Sequence, residues 1–338
     1  MKRSYLDWNA TAPLRPEARA AMIAAMDCLG NPSSVHGEGR AAKAIMEKAR
    51  GQVAEAAGAS GADIVFTGSA TEAAALALAG QGFCSPAYEH DCVLAWVETT
   101  TTGDIAKTAW QQANSETGVI HDLPQELGFS DAVQAFGKIP YGFAWSGTDR
   151  AIISGHKFGG PKGVGALIVK QGIDVPPALK GGGQEMGRRS GTENVIGIAG
   201  MGAAAQAAQR DLENGVWDKV EQNRNLFEAR LLNEAPDALI FGADAPRLPN
   251  TSYFAVPGWK GETQVMQMDL AGFAVSAGSA CSSGKVKASK VLRAMGYDET
   301  TASSAIRVSI GPGTTADELH SFAEAWLKEY RRFKARAA

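Results

Sequence analysis

The sequence predicts an α/β protein with a mainly parallel sheet in a larger domain, followed by a smaller α+β domain. Three observations lead there. Short apolar runs alternate with helix-forming stretches over the first two thirds of the chain, the pattern of strands connected through helices. In AIISGHKFGGPKGVGALIV (residues 151–169) two apolar runs flank a Gly/Pro-rich turn, so the stretch reads as strand, loop, strand. Beyond about Asp211 the order becomes strand, helix, strand, strand, helix, which suits a separate α+β unit. The boundaries fall at 15–212 for the large domain, and at 1–14 with 213–338 for the small one.

Composition narrows the function. The chain has 338 residues, 45% of them hydrophobic and 20% charged, values of an ordinary globular protein with room for a large core. A net charge of −3 implies no general attraction to nucleic acid or to an anionic membrane. MKRSYLDWNATAP lacks the apolar core of a signal peptide, and no uncharged apolar run reaches spanning length, so a cytoplasmic protein is expected. The four cysteines, Cys28, Cys84, Cys92 and Cys281, show no CxxC spacing, which argues against a disulfide framework and against a zinc site. No metal is expected.

The elements follow in order. Pro16 to Cys28 and Gly39 to Ala57 read as helices, the second with Ile45, Ala49, Val53 and Ala56 on one face. GNPSSVHGEG between them forbids either helix from continuing. Asp63 to Thr67 is a short buried strand, followed at once by GSATEAAALALAG, where Ser69 or Thr71 can cap a helix. CSPAYEHDCVLAWV reads as a strand with His90 near its start, while Glu98 to Asn114 fits no element. Asp131 and Gln134 follow a short apolar stretch. GGGQEMGRRSGTEN is a glycine-rich, doubly basic loop before an Ala-rich helix that starts at Val195. A long helical pattern follows, then LPNTSYFAV, ETQVMQMDLAG, FAVSAGSACSSGKV, ASSAIRVSIG and a closing helix from Ala316 to Ala335.

In a mainly parallel sheet the loops at the strand C-terminal ends gather around one crevice. Thr71, Asp131 and Lys157 converge there, with His90 placed less securely. A flat cationic electron sink needs a lysine to hold it, an anion beside its ring nitrogen, donors for its phosphate and an aromatic lid. Pyridoxal phosphate matches that set. Lys157 would hold it and Asp131 would keep the ring nitrogen protonated, through a charge-assisted bond of about 1.5–3 kcal/mol. His90 would stack on the ring, and Thr71, Ser154 and His156 would bind the phosphate, aided by the helix after Gly68. Taken singly, each has a plainer reading: Lys157 as a solvated loop lysine, Asp131 and Thr71 as caps, His90 as a satisfied strand histidine. Their order along successive strand ends favours the site.

YLDWNATAP, GNPSSVHGEGR, FTGSATEA, EHDCVL, DAVQAFGKIP, SGHKFGGPKGVGAL, GGGQEMGRRSGTEN, GSACSSGKV and AIRVSIG resemble, in this order, the motifs of cysteine desulfurases, which are class V aminotransferase-like pyridoxal phosphate enzymes of fold type I. The resemblance spans nearly the whole chain. It implies a large cofactor domain and a small domain, a homodimer with active sites near the interface, and conversion of L-cysteine to L-alanine with delivery of sulfur to an acceptor protein or thiol. Iron–sulfur cluster assembly is one use of such sulfur. By position, Lys157 resembles the lysine that tethers the cofactor, His90 the stacking histidine and Asp131 the ring-nitrogen partner. Gln134 would bond the phenolic oxygen. Ala70, Thr71, Ser154 and His156 would cradle the phosphate, and Thr192 would reach the phosphate of the neighbouring subunit. Arg307 resembles the arginine that pairs with the substrate carboxylate, with Asn31 to help it. Cys281 resembles the nucleophile that becomes a persulfide. Its thiol needs the thiolate form to attack, and Lys285 and Lys287 nearby would favour that form. Cys28, Cys84 and Cys92 are left as packing residues.

The chain departs from the family pattern in several places. The stretches between His90 and Asn114 and between Gly118 and Asp131 are short, which could expose a sheet edge. The family's NNETG reads Asn114-Ser115-Glu116-Thr117-Gly118, so a side-chain contact to cofactor and substrate is shortened at Ser115. FTSGATE reads FTGSATE, and Met186 stands where an arginine is usual. Two alternatives stay open beside the desulfurase: a related pyridoxal phosphate enzyme acting on another amino acid, such as a selenocysteine lyase, and a non-catalytic partner in sulfur trafficking.

Overall fold

The structure, a computed structural model, describes residues 3–100, 102–277 and 288–337. Cys281, Lys285 and Lys287 lie outside the described residues. The chain divides into two units: Met1–Thr11, Asn114–Ile120 and Gly215–Ala338 form one, and Ala12–Ala113 with His121–Asn214 form the other. The segment 114–120, inside the range expected of the large domain, is counted with the small one.

The chain opens with strand β1 (Ser4–Tyr5) in the smaller unit and then builds the larger unit. Helix α1 (Pro16–Met26) starts on Pro16, where a missing N–H costs nothing, and α2 (Gly37–Ala56) buries Ala42, Met46, Ala49 and Val53 along one stripe. Strand β2 (Ala62–Thr67) leads into α3 (Ala70–Leu78). Then come β3 (Cys84–Ser85), α4 (Asp91–Leu94), β4 (Glu98–Thr99), β5 (Ala109–Gln111), β6 (Phe129–Asp131), α5 (Phe143–Ser146), β7 (Arg150–Ser154) and β8 (Gly165–Lys170). Helix α6 (Val195–Glu213) closes the unit. Its glycines let the other helices approach: a Cβ at Gly202 would lie 2.6 Å from Ala49 Cα, and one at Gly200 would lie 2.6 Å from Met22 Cγ.

The central sheet runs β2-β8-β7-β6-β5. Strands β5, β6 and β7 are parallel, and β8 is antiparallel to both of its neighbours. The sheet does not stop at β5. A parallel bridge joins Thr108 to Cys84, and β3 pairs in parallel with β4, so two very short strands extend the edge that the shortened sequence threatened to expose.

The stretch expected to be one strand through His90 is strand for only two residues. Pro86 supplies no ladder N–H, and His90 becomes the N-cap of α4, its ring accepting from Cys92 N.

The smaller unit continues with α7 (Val216–Glu234), β9 (Leu239–Ile240), β10 (Thr251–Ala255), α8 (Gly261–Leu270), β11 (Phe273–Ala274), β12 (Ser276–Ala277), α9 (Lys290–Ala294), α10 (Glu299–Ser303), β13 (Ala305–Ser309) and α11 (Ala316–Ala337). Strands β12-β13-β10-β9 form an antiparallel sheet, and β1 pairs in parallel with β11. Phe254 packs edge-on against Trp326, and Phe227 packs against both Phe254 and Phe322, so α7 and α11 cover this sheet with an aromatic layer. The segment 114–120 is tied here by Leu248 N to Gly118 O (2.8 Å) and Ile120 N to Pro246 O (2.8 Å).

Candidate active site

In the larger unit, β7 ends at Ser154 and a single 3₁₀ turn, Gly155–Lys157, carries the lysine. That turn is fastened from outside. Ala12 N donates to His156 O at 2.8 Å, Arg15 Nε donates to Phe158 O at 2.8 Å, and Arg15 N donates to Gly159 O at 2.9 Å. Gly159 sits at φ +88°, where a side chain is strained, and a Cβ there would lie 2.5 Å from Arg15 Cγ. The short turn therefore aims Lys157 from a rigid base.

Asp131 ends β6, the strand next to β7, and is buried. Its Oδ1 accepts from Val133 N at 2.9 Å, the capping role that the plainer reading gave it. Burial pushes its pKa up, while His90, the Val133 N–H and Lys157 pull the other way. His90 and Lys157 are thus each within electrostatic reach of Asp131. His90 Nδ1 accepts from Cys92 N (3.1 Å) and lies 3.0 Å from Cys92 Sγ. Cys92, read as packing alone, therefore also holds the imidazole. Gln134 is buried, and its Oε1 accepts from Lys138 Nζ at 2.6 Å.

The start of α3 supplies the anion cradle. Ser69 is the cap, its Oγ accepting from Glu72 N at 3.2 Å, and the N–H groups of Ala70 and Thr71 precede the helical ladder. Strand β8 passes so close that a Cβ at Gly165 would lie 2.6 Å from the Ser69 carbonyl carbon. Ser154 is buried in register with Gly165. His156 is half-buried, its pKa lowered to about 4 by burial and by Lys157, Lys162 and Lys138, so it is a neutral donor at pH 7. A histidine whose folded pKa lies below its unfolded value takes up a proton on unfolding. The apoprotein should lose stability as pH falls from about 6.5 toward 4, and His156→Asn should flatten that part of the curve. Urea midpoints at pH 7 and pH 5 check this.

The doubly basic loop is held by ion pairs at its own acid and at one of its arginines. Glu185 accepts from Arg50 Nη1 (2.9 Å), Arg50 Nη2 (3.0 Å) and Phe66 N (2.9 Å), and Arg189 Nε donates to Glu72 Oε1 at 2.8 Å. Thr192 is exposed in this loop, Thr71 is exposed at the start of α3, and Asn31 is exposed with its side-chain oxygen accepting from Ser33 N.

In the smaller unit Arg307 lies on β13, buried. Its Nη2 donates to Asp7 Oδ1 at 2.9 Å and its Nη1 to Ser115 O at 2.8 Å, while Nε is buried without a partner. Ser115 acts through its carbonyl, which also accepts from Asn9 Nδ2 at 3.3 Å. Glu116 accepts from Tyr253 OH at 3.1 Å and from Ser289 Oγ, which fixes the 114–118 turn. Sequence reasoning gave no role to Asp7, Glu89, Lys138 or the Cys92 thiol. Asp7 stood inside YLDWNATAP and Glu89 beside His90, but no spacing rule marks either as a partner.

Pyridoxal phosphate fits the larger unit on its own terms. The buried Asp131 carboxyl lies under the electrostatic influence of His90 and Lys157, and a neutral histidine and a capped helix start suit a phosphate. Among the described residues no cluster suits a metal ion.

The class-V aminotransferase family model matches residues 4–126 and 108–322. A cysteine desulfurase of Cereibacter sphaeroides is 37% identical over 96% of this chain and 95% of its own. Among solved structures, a NifS-like protein of Rickettsia africae superposes with a TM-score of 0.88 at 32% identity, covering 97% of this chain and 99% of that one. SspA, solved in complex with cysteine, gives 0.72 at 26% identity over 92% of this chain and 99% of its own. The chain belongs to the class-V aminotransferase family and, within it, to the pyridoxal phosphate-dependent cysteine desulfurases.

Proposed function

We propose that this enzyme releases sulfur from L-cysteine, leaves L-alanine, and passes the sulfur as a Cys281 persulfide to an acceptor protein or thiol. It would work in the cytoplasm as a homodimer, with Thr192 serving the neighbouring subunit and iron–sulfur cluster assembly among the uses of the sulfur. The observation that carries the reading is the buried Asp131 carboxyl at the end of β6, beside the end of β7 that leads to Lys157, with His90 and Lys157 both acting on it electrostatically.

When bound, the cofactor supplies an electron sink for the substrate's α-carbon. The chain's own residues do the rest. Lys157 tethers the cofactor through its amine and then moves the substrate's α-proton. Asp131 holds the proton on the ring nitrogen, and His90, set by the Cys92 N–H, covers the ring. Gln134 meets the phenolic oxygen; Ala70, Thr71, Ser154 and His156 hold the phosphate. Arg307 takes the substrate carboxylate, with Asn31 and the Ser115 turn in support. The Cys281 thiolate attacks the substrate sulfur. The carbon–sulfur bond breaks as the sulfur–sulfur bond forms, the electron pair passes to the carbon framework, and protonation there yields alanine.

Purified protein given L-cysteine and a thiol reductant should form L-alanine and sulfide in equal amounts and should show a visible cofactor band. A protein that forms no alanine overturns the reading. Arg307→Lys should raise KM for cysteine by about 10–100-fold with a smaller change in kcat, because a lysine cannot keep the Asp7 and Ser115 contacts and still offer a planar fork. Steady-state kinetics check it.

A further inference from the structure

Glu89 is a buried carboxyl, 4% exposed, that the mechanism does not use. Its Oε1 accepts from Gln111 N at 2.6 Å, and its Oε2 is buried with no hydrogen-bond partner. Gln111 ends β5 and stands in register with Asp131 on β6, and Asp131 O accepts from Gln112 N at 2.9 Å. Gln111 Nε2 donates back to Tyr88 O at 2.8 Å. Glu89 thus closes the end of β5 at the level of Asp131, one residue from His90.

Two buried carboxyls this close do not both stay ionised. Asp131 is the better place for the charge. It has the Val133 N–H, His90 and the charge of Lys157, whereas Glu89 has the Gln111 N–H and His90. The ionisable groups that act on Glu89 or feel it are Asp131, His90, Cys92 and Tyr88; three of the four are acids, and Cys92 and Tyr88 are both pushed up by its charge. Burial and Asp131 both push its pKa well up.

We propose that Glu89 is a positioning residue that works as an uncharged acid: it ties the end of β5 to the segment carrying His90 and leaves Asp131 as the negative charge that meets the cofactor's ring nitrogen. The proposal rests on the assignment of Asp131 to that nitrogen. An ionised Glu89 would be a second anion competing for the same proton, and an alanine would remove the carboxyl oxygen that accepts from the Gln111 N–H.

The test compares Glu89→Gln, Glu89→Ala and Asp131→Asn. Infrared spectra of the apoproteins at pH 7 should show a protonated-carboxyl carbonyl band in the wild type that Glu89→Gln removes and Asp131→Asn keeps. In the holoproteins Glu89→Gln should leave the pH midpoint of the visible cofactor band in place, whereas loss of a true negative charge would lower it by about one unit or more. Glu89→Ala should weaken pyridoxal phosphate binding about tenfold, and Glu89→Gln, which keeps the acceptor oxygen, should restore it. A carboxyl band untouched by Glu89→Gln, a midpoint lowered by about a unit, or a glutamine variant as weak as the alanine variant would each overturn the proposal. The infrared arm needs no cofactor. A chain that takes up none would refute the site reading, while the carboxyl band still decides Glu89.

Discussion

Cys281→Ala is expected to cut alanine formation from L-cysteine by at least about a thousandfold while the visible cofactor band keeps its position and intensity. The size follows from the chemistry. Without a thiolate to accept the sulfur, the carbon–sulfur bond has no low-barrier way to break, and water or a free thiol must reach the substrate instead. The unchanged band follows from the fold. Every residue assigned to the ring and its phosphate lies in 12–113 and 121–214, whereas Cys281 follows β12 in the other unit. Ser276 of β12 is in register with Arg307, so the strand that precedes Cys281 in the chain is paired with the strand that carries Arg307. Rapid mixing with cysteine should still perturb the band in the variant, because Lys157 and Arg307 remain. Full alanine production by Cys281→Ala, measured by amino-acid analysis, would defeat the assignment.

The strands that matter most were legible because they are short, apolar and followed by small residues. Asp131 and Lys157 could be placed at strand ends from DAVQAFGKIP and SGHKFGG, and a helix cap at Ser69 or Thr71 from GSATE, of which the structure uses Ser69. His90 was misplaced on a strand because the aromatic and apolar residues of CSPAYEHDCVLAWV have strand-like composition, and a histidine cap leaves no strong signal. Tertiary pairing hid the rest. That 114–120 belongs with the small unit depends on bonds to Pro246 and Leu248, more than a hundred residues away. Ser115 looked like a loss because its side chain is short, yet the contact to Arg307 comes from its carbonyl, an atom every residue carries. Asp7 and Arg307 meet 300 positions apart, where neither period nor spacing speaks.

Lys157→Ala is expected to produce the second large effect: turnover lower by at least about ten-thousandfold, cofactor lost on dialysis, and no cofactor fixed by borohydride. Three contributions vanish with one amine: the covalent hold on the cofactor, the base that moves the α-proton, and a cation that favours ionised Asp131. The backbone around it should not move. The 3₁₀ turn is fixed by Ala12, Arg15 and the Gly155 carbonyl, which accepts from Gly160 N at 2.8 Å, and no side-chain atom of Lys157 takes part in those bonds. The variant should therefore fold with a wild-type circular dichroism spectrum. Small primary amines supplied in solution should restore part of the proton transfer, since the proposed role of the missing group is that of a base. Lys157→Arg separates the charge from the chemistry. It keeps a cation near Asp131 but offers a group that does not deprotonate at neutral pH, so it should remain as inactive as alanine while holding the cofactor more tightly. An arginine variant that turns over cysteine near the wild-type rate would mean that the proton is moved by another residue, and the roles given to His90 and Asp131 would have to be redrawn with it.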